Sequence, residues 1–326
     1  MAIDIHCHFV PRPFLDDRLS DPNSSVRLLR DEGENIDLTV GNRFFGLNPT
    51  FFEIDRQIAR MDQLGIDRTV ISLATPFVTY DASPRASDSA KLCNDGLAEV
   101  VRAAPKRFSA WAFLPMQAPE AAAAELRRCV EEHGFVGGHI ATNVNGMYPD
   151  TAIFKPVFDM AVALGVPLFM HPVSPLGREH MREHELTVVA GYLFDSTIAV
   201  LKLICGGVLD EYRGLRLVCA HTGAFSLALR ARMQREVDTN PDLARRLSKP
   251  IGSYLSELLY ESVCFEPEML QYATHVVPLG NIMLGSDGPF PLGEADPVGF
   301  IGRAIANSAD REMILRDNAR RLLRIQ

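Results

Sequence analysis

Residues 2–11 read AIDIHCHFVP, and this first apolar run carries two histidines, His6 and His8. A strand alternates its faces, so side chains two apart share one side. Both imidazoles are therefore expected at the C-terminal tip of a strand over 2–8, with Cys7 turned to the opposite face as a core thiol. Seven further β-rich runs follow at RTVISLA (68–74), FSAWAFLP (108–115), GGHIAT (137–142), PLFMHP (167–172), RLVCAHT (216–222), LLYESV (258–263) and NIMLGSD (281–287).

Helical patterns separate these runs. FFEIDRQIARMDQLGI spaces its apolar residues helically and stops at Gly65, a C-cap signal. PEAAAAELRRCVEEHGF opens near Pro119 and closes at Gly134, the proline-in, glycine-out asymmetry of a helix. Strand alternating with helix implies parallel pairing with right-handed crossovers. Eight such units in a chain of 326 residues fit a single (β/α)8 TIM barrel over 1–326. An open doubly wound sheet is the alternative, but no G-x-G-x-x-G follows the first strand. Residues 11–49 are polar and dotted with Gly and Asn, far longer than an ordinary βα loop. In a barrel enzyme that segment overlies the site, so it is expected to be an insertion or lid.

The net charge of −8, with no Lys/Arg-dense tract, excludes a general nucleic-acid binder. The six cysteines are scattered with no C-x-x-C pair, as expected of reduced thiols in a cytoplasmic protein. No leader with a basic start and apolar core is visible, and no uninterrupted apolar run is long enough for a bilayer.

Barrel enzymes assemble their chemistry at the C-terminal ends of the strands. Here the first strand ends in His6 and His8, the fifth in His171, the sixth in His221 and the eighth in Asp287. One such residue alone is most simply a structural histidine or a turn aspartate. Four of the nine histidines in one ring, with an aspartate, point to a metal site. Imidazole with carboxylate suits one Zn2+, with Mn2+, Fe2+ or Co2+ compatible on ligand type. A metal-bound water has its pKa lowered towards 7, and a histidine beside it, His221, is the residue type that carries protons at neutral pH. His139, on the fourth strand, reads as a core or supporting histidine. That strand carries no lysine to bridge a second metal.

The motifs IDIHCHFVP, FLPMQAPE, FMHPVSP, VCAHTGAF and GSDGPFPLGE together resemble the amidohydrolase superfamily. Within it they are most similar to the family of 2-amino-3-carboxymuconate-6-semialdehyde decarboxylase and related metal-dependent decarboxylases, over almost the whole chain. The resemblance implies His6, His8, His171 and Asp287 as metal ligands and His221 as the residue that activates the metal-bound water. It also implies arginines that hold the substrate carboxylate, for which Arg43 is the nearest match in the insertion. A second arginine, lent across a homodimer in the family, matches Arg232 by its distance from His221, with Arg230 close by. Phe290 matches a residue lining the family's pocket. The chain departs from the family pattern at Val173-Ser174 (Trp-Asp in the family), Gly288 (Tyr) and Thr222-Gly223 (three glycines).

The expected activity is a zinc-dependent, non-oxidative decarboxylation of an unsaturated or aromatic carboxylic acid, a small molecule. Hydrolysis of a lactone, amide or carbon–carbon bond uses the same metal core, with Asp287 sharing the proton transfer. A non-catalytic metal-binding barrel is the third reading, and it leaves His221 without a purpose.

Overall fold

The computed structural model describes residues 1–33, 35–41, 43–74, 77 and 86–325. Its strands are β1 (Ile3–Phe9), β2 (Val26–Asp31), β3 (Ile36–Val40), β4 (Arg43–Leu47), β5 (Arg68–Leu73), β6 (Phe108–Phe113), β7 (Gly137–Ala141), β8 (Leu168–His171), β9 (Leu217–Cys219), β10 (Leu259–Glu261) and β11 (Ile282–Met283). Eight of them form one parallel sheet in the order β1-β5-β6-β7-β8-β9-β10-β11, and helices lie between successive strands. The segment after β11 returns to β1. Ile5 N donates to Leu284 O at 2.9 Å, Asp287 N to His6 O at 2.8 Å and His8 N to Gly288 O at 2.7 Å. The sheet thereby closes as the expected (β/α)8 barrel, each β-rich run of the sequence supplying one barrel strand.

One feature of β1 has no trace in the hydrophobic pattern. Its register against β5 slips between Asp4 and Cys7, where three steps along β1 match two along β5. A one-residue slip reverses which face a side chain takes. Ile3 and Ile5 pack in the barrel interior with Val70, Trp111, Phe169, Val218 and Met283. Past the slip, His6 and His8 face that same interior, whereas Cys7 turns outward to Gln57, whose Nε2 lies 2.7 Å from its sulfur.

Inside the barrel the single tryptophan, Trp111, stacks on Phe169 with ring centroids 5.5 Å apart and donates through Nε1 to Ile5 O at 2.9 Å. A second apolar layer, with Ala110, Leu126, Val157, Ile204 and Phe300, fills the space between strands and helices. The helix Pro119–His133 ends at Gly134 in the left-handed region (φ 67°), as its sequence predicts. Within residues 11–49 the chain forms a helix, Arg12–Ser20, and the antiparallel sheet β2-β3-β4. The buried faces of that sheet, through Val26, Ile36 and Leu38, join the outer layer beside Phe14 and Phe51.

One helix segment, Thr187–Cys205, is long and apolar enough to cross a membrane by length and composition. It carries Asp195, which accepts from Tyr148 Oη at 2.7 Å, and Lys202, 3.0 Å from Asp150. Both charged groups are thus engaged by the loop that follows β7.

Phe169 touches the barrel interior on one side and the histidine cluster on the other. Phe169→Ala is expected to destabilise the chain by about 3–5 kcal/mol, the range for emptying an aromatic site in a core. Urea unfolding followed by Trp111 fluorescence measures it, and a loss below about 1 kcal/mol would contradict this packing.

Candidate metal centre

The first-strand histidines, the tip of β8 and the loops after β9 and β11 meet at one end of the barrel. His6 Nε2 lies 3.2 Å from His8 Nε2 and 3.1 Å from Asp287 Oδ1, and His8 Nε2 lies 2.9 Å from the same oxygen. His171 stands with its ring centroid 4.9 Å from that of His6 and 5.2 Å from that of His8. His221 Nε2 is 3.5 Å from Asp287 Oδ2. One ligating atom from each of His6, His171, His221 and Asp287 lies within 4.8 Å of all the others.

The outer nitrogens distinguish the four rings. His6 Nδ1 is 3.1 Å from Glu261 Oε1, His8 Nδ1 is 3.3 Å from Leu73 O, and His171 Nδ1 is 2.8 Å from Pro172 O. A carbonyl or carboxylate oxygen only accepts, so the Nδ1 atoms of His6 and His171 carry the proton in the neutral ring, and His8 Nδ1 does the same where it donates to Leu73 O, with the Ser72 hydroxyl also at 3.3 Å. The Nε2 lone pair is left for a ligand, which is how supporting groups fix metal-binding histidines. His221 Nδ1, by contrast, is buried with no hydrogen-bond partner among the described residues. The donors His6, His171, His221 and Asp287, with His8 against them, therefore fit a divalent transition-metal ion, and His221 differs from the other rings in having no partner at Nδ1 among the described residues.

Electrostatics follow from burial. It works against an imidazolium at His6, yet the Asp287 and Glu261 carboxylates outweigh it and raise the His6 pKa to about 10. Burial also depresses His8 and, more strongly, His171, whose neighbours are other imidazoles. Asp287 would be pushed up by burial, but the imidazoles of His6, His221 and His8 hold it well below the usual carboxylate range.

His221 is not on a strand. Its strand ends at Cys219, and His221, Thr222 and Ala224 take left-handed backbone angles (φ 54°, 52° and 53°) in a tight turn. This turn explains why glycines suit the positions after the histidine. Thr222 is accommodated because its hydroxyl donates to Glu261 O at 3.0 Å. Glu261 itself escaped the sequence reading. At the end of β10 and fully buried, it accepts from the His221 backbone N–H and from Val263 N at 2.6 Å, besides its contact with His6. The available signal was a glutamate inside the apolar run LLYESV.

The remaining candidates are more dispersed. Phe290 packs 5.1 Å from His8 and 5.0 Å from Phe51 between ring centroids. Arg43, on β4, donates through Nη1 to Tyr192 Oη at 2.6 Å. Arg230 and Arg232 lie exposed on the helix Arg230–Thr239, with no ion pair among the described residues. His139 sits under the cluster, 5.8 Å from the His171 centroid, its pKa lowered to about 3 by burial and by His8 and His6. That placement suits the core or supporting role expected of it.

The model of the amidohydrolase family denoted Amidohydro_2 matches residues 3–325. This chain belongs to that family. It is 30% identical over 303 residues to the 2-amino-3-carboxymuconate-6-semialdehyde decarboxylase of Dictyostelium discoideum, covering 91% of this chain and 84% of that protein. It is 32% identical over 287 residues to the gamma-resorcylate decarboxylase of a Polaromonas species, covering 83% and 87%. Among solved structures, a dihydroxybenzoic acid decarboxylase from Polaromonas, with bound manganese and the inhibitor 2-nitroresorcinol, superposes with a TM-score of 0.81 at 27% identity, over 99% of this chain and 96% of that one. The resemblance read from the sequence motifs is borne out, and the enzymes named here are decarboxylases, one of them holding manganese.

Because His6 holds a proton up to a pKa of about 10 in the ion-free chain, an ion must displace it. The apparent metal affinity is expected to rise with pH from 6 to 9, by up to about tenfold per unit, and a proton to be released on binding. Chelator-competition titrations at several pH values measure the slope, and a flat profile would contradict the assignment.

Proposed function

We propose that the chain is a metal-dependent, non-oxidative decarboxylase of an unsaturated or aromatic carboxylic acid. The observation that carries this reading is the division among the rings. His6, His8 and His171 are anchored through Nδ1, and His221 beside them has no partner at Nδ1 among the described residues. With Asp287 the three anchored rings would hold the ion, and His221 would move the proton. The histidine-rich set favours Zn2+, with Mn2+ as the main competitor because a related decarboxylase carries it. When bound, the ion supplies Lewis-acid polarisation of a substrate oxygen.

The chain's own residues would do the rest. Arg43 offers paired N–H groups to a carboxylate. Phe290, packed beside His8 and backed by the buried Phe51, would offer an apolar face to an unsaturated or aromatic body. His221 would deliver a proton to the carbon bearing the carboxylate. The bond to the carboxylate then breaks, its electron pair stays on the substrate skeleton, and CO2 leaves. Residues 11–49 would act as the lid that excludes water during this step.

A homodimer is part of the proposal. Leu186, Val189, Phe194 and Ile198 form an exposed apolar stretch along one helix segment, between 40% and 60% exposed. A second copy seated there would cover it, and Arg232 would be available to the neighbouring site. Sedimentation at twice the chain mass is the expected result, with Val189→Asp shifting the population to single chains.

The decisive measurement is CO2 release from substituted salicylates, muconate semialdehydes and related acids, with metal analysis of the same samples. His221→Ala is expected to retain its ion and lose CO2 release by a factor of about 100 or more, the scale of general acid–base catalysis. Full activity in that variant would remove His221 from the mechanism. Oxygen from labelled water in the product, without CO2, would replace decarboxylation by hydrolysis.

A further inference from the structure

Tyr192 stands where the insertion sheet meets the wall that follows β8. It opens the helix Tyr192–Cys205, and the residue before it is closely packed. A Cβ at Gly191 would lie 2.8 Å from Met181 Sδ and 3.1 Å from Pro175 Cγ. From the other side, Arg43 of β4 donates to the phenol oxygen at 2.6 Å. The same guanidinium lies 5.9 Å from the Tyr192 ring centroid and 5.2 Å from that of Phe45. The phenol is thus held from both the lid segment and the barrel wall.

A phenol oxygen that accepts from a guanidinium keeps its own proton to donate. Among the described residues, Arg43 is the partner of Tyr192 Oη, and the phenol proton meets no acceptor. Burial raises the Tyr192 pKa, the Arg43 and Arg178 guanidiniums work against that rise, and Asp287 adds to it. The hydroxyl therefore lies within the field of a carboxylate of the metal cluster and of two guanidiniums. A neutral donor so placed, with no acceptor of its own, is suited to an anion arriving at the barrel mouth.

We propose that Tyr192 is a specificity-determining residue that donates to the substrate carboxylate alongside Arg43. One carboxylate oxygen takes the phenol O–H and the other takes guanidinium N–H groups, so a carboxylic acid is favoured over its neutral amide. Arg43 acts twice, binding the anion and turning the phenol so that its proton faces the mouth. The inference rests on the reading of this site as one for carboxylic acids.

The test uses metal-loaded protein, with salicylate as the acid probe and salicylamide as its neutral counterpart. Tyr192→Phe is expected to weaken salicylate binding by about ten- to a hundredfold, the worth of a hydrogen bond to a charged group. Salicylamide binding should stay within roughly twofold, because the neutral amide forms no charge-assisted bond. In an Arg43→Met background, adding Tyr192→Phe should cost less than in the wild type, since the phenol has already lost its anchor. Unchanged salicylate affinity in Tyr192→Phe overturns the proposal. Equal weakening of both probes also overturns it, marking the phenol as merely structural. Should salicylate binding depend on Tyr192 while no acid releases CO2, the decarboxylase reading fails and this inference stands.

Discussion

The hydrogen bonds that join the end of β11 to β1 are the constraint on which the site depends. Asp287 N to His6 O and His8 N to Gly288 O bring together residues nearly the whole chain apart. Without that seam the carboxylate of Asp287 has no reason to meet the imidazoles of His6 and His8. The seam also needs β1 to serve two purposes. Its first half fills the barrel with Ile3 and Ile5, and its second half lines the mouth with histidines. A strand of strict alternation cannot put residues 3, 5, 6 and 8 on one side, and the register slip between Asp4 and Cys7 resolves the conflict. Asp4 secures the junction. Fully buried, it accepts from His6 N and Ser286 N at 3.0 Å each and from Ser286 Oγ at 2.6 Å.

Such a cluster is expensive to assemble in the ion-free chain. Four imidazoles and two carboxylates are crowded into a region where water is scarce, and burial disfavours every charged form. The chain responds by drawing charge to one place, an imidazolium at His6 between Asp287 and Glu261, while His8 and His171 are driven towards neutrality. Neutral imidazoles with protonated Nδ1 atoms are the forms a divalent ion requires. Such an arrangement would suit a divalent ion once the His6 proton is displaced.

The sequence carried more of the barrel than of its pocket. Eight β-rich runs with helices between them were enough for the architecture, because each strand is a continuous apolar segment bounded by turn residues. Histidines and an aspartate at the tips of those runs were visible for the same reason. What was hidden depends on tertiary geometry. The slip in β1 follows from closing the barrel, and no local pattern encodes it. Glu261 looks like any acidic residue at a strand end until the fold places it against His6, 255 positions away in the sequence. His221 was expected at a strand tip and lies instead in a left-handed turn beyond it, a conformation that Thr222 hides because glycine is its usual marker.

The positions at which the chain departs from the family pattern differ in what they change. A Cβ at Gly288 would lie 1.8 Å from Arg60 Nη2, so the space an aromatic residue would fill is taken by a guanidinium from the helix Ile54–Gln63. That exchange takes place on the outer side of the barrel and leaves the mouth alone. Thr222 spends its hydroxyl on backbone carbonyls of Glu261 and Val263, again away from the mouth. Ser174 is different. Its carbonyl accepts from Asn143 Nδ2 at 3.0 Å and its hydroxyl from Arg178 Nη1 at 2.8 Å, and Arg178 is one of the charges that act on Tyr192. Two departures are thus absorbed by compensating contacts, whereas the third lies on the wall between β8 and Tyr192. Substrate choice in this chain should therefore be sought on that wall, where the family's bulky Trp-Asp pair is replaced by Val173-Ser174, with Ser174 bonded to Asn143 and Arg178.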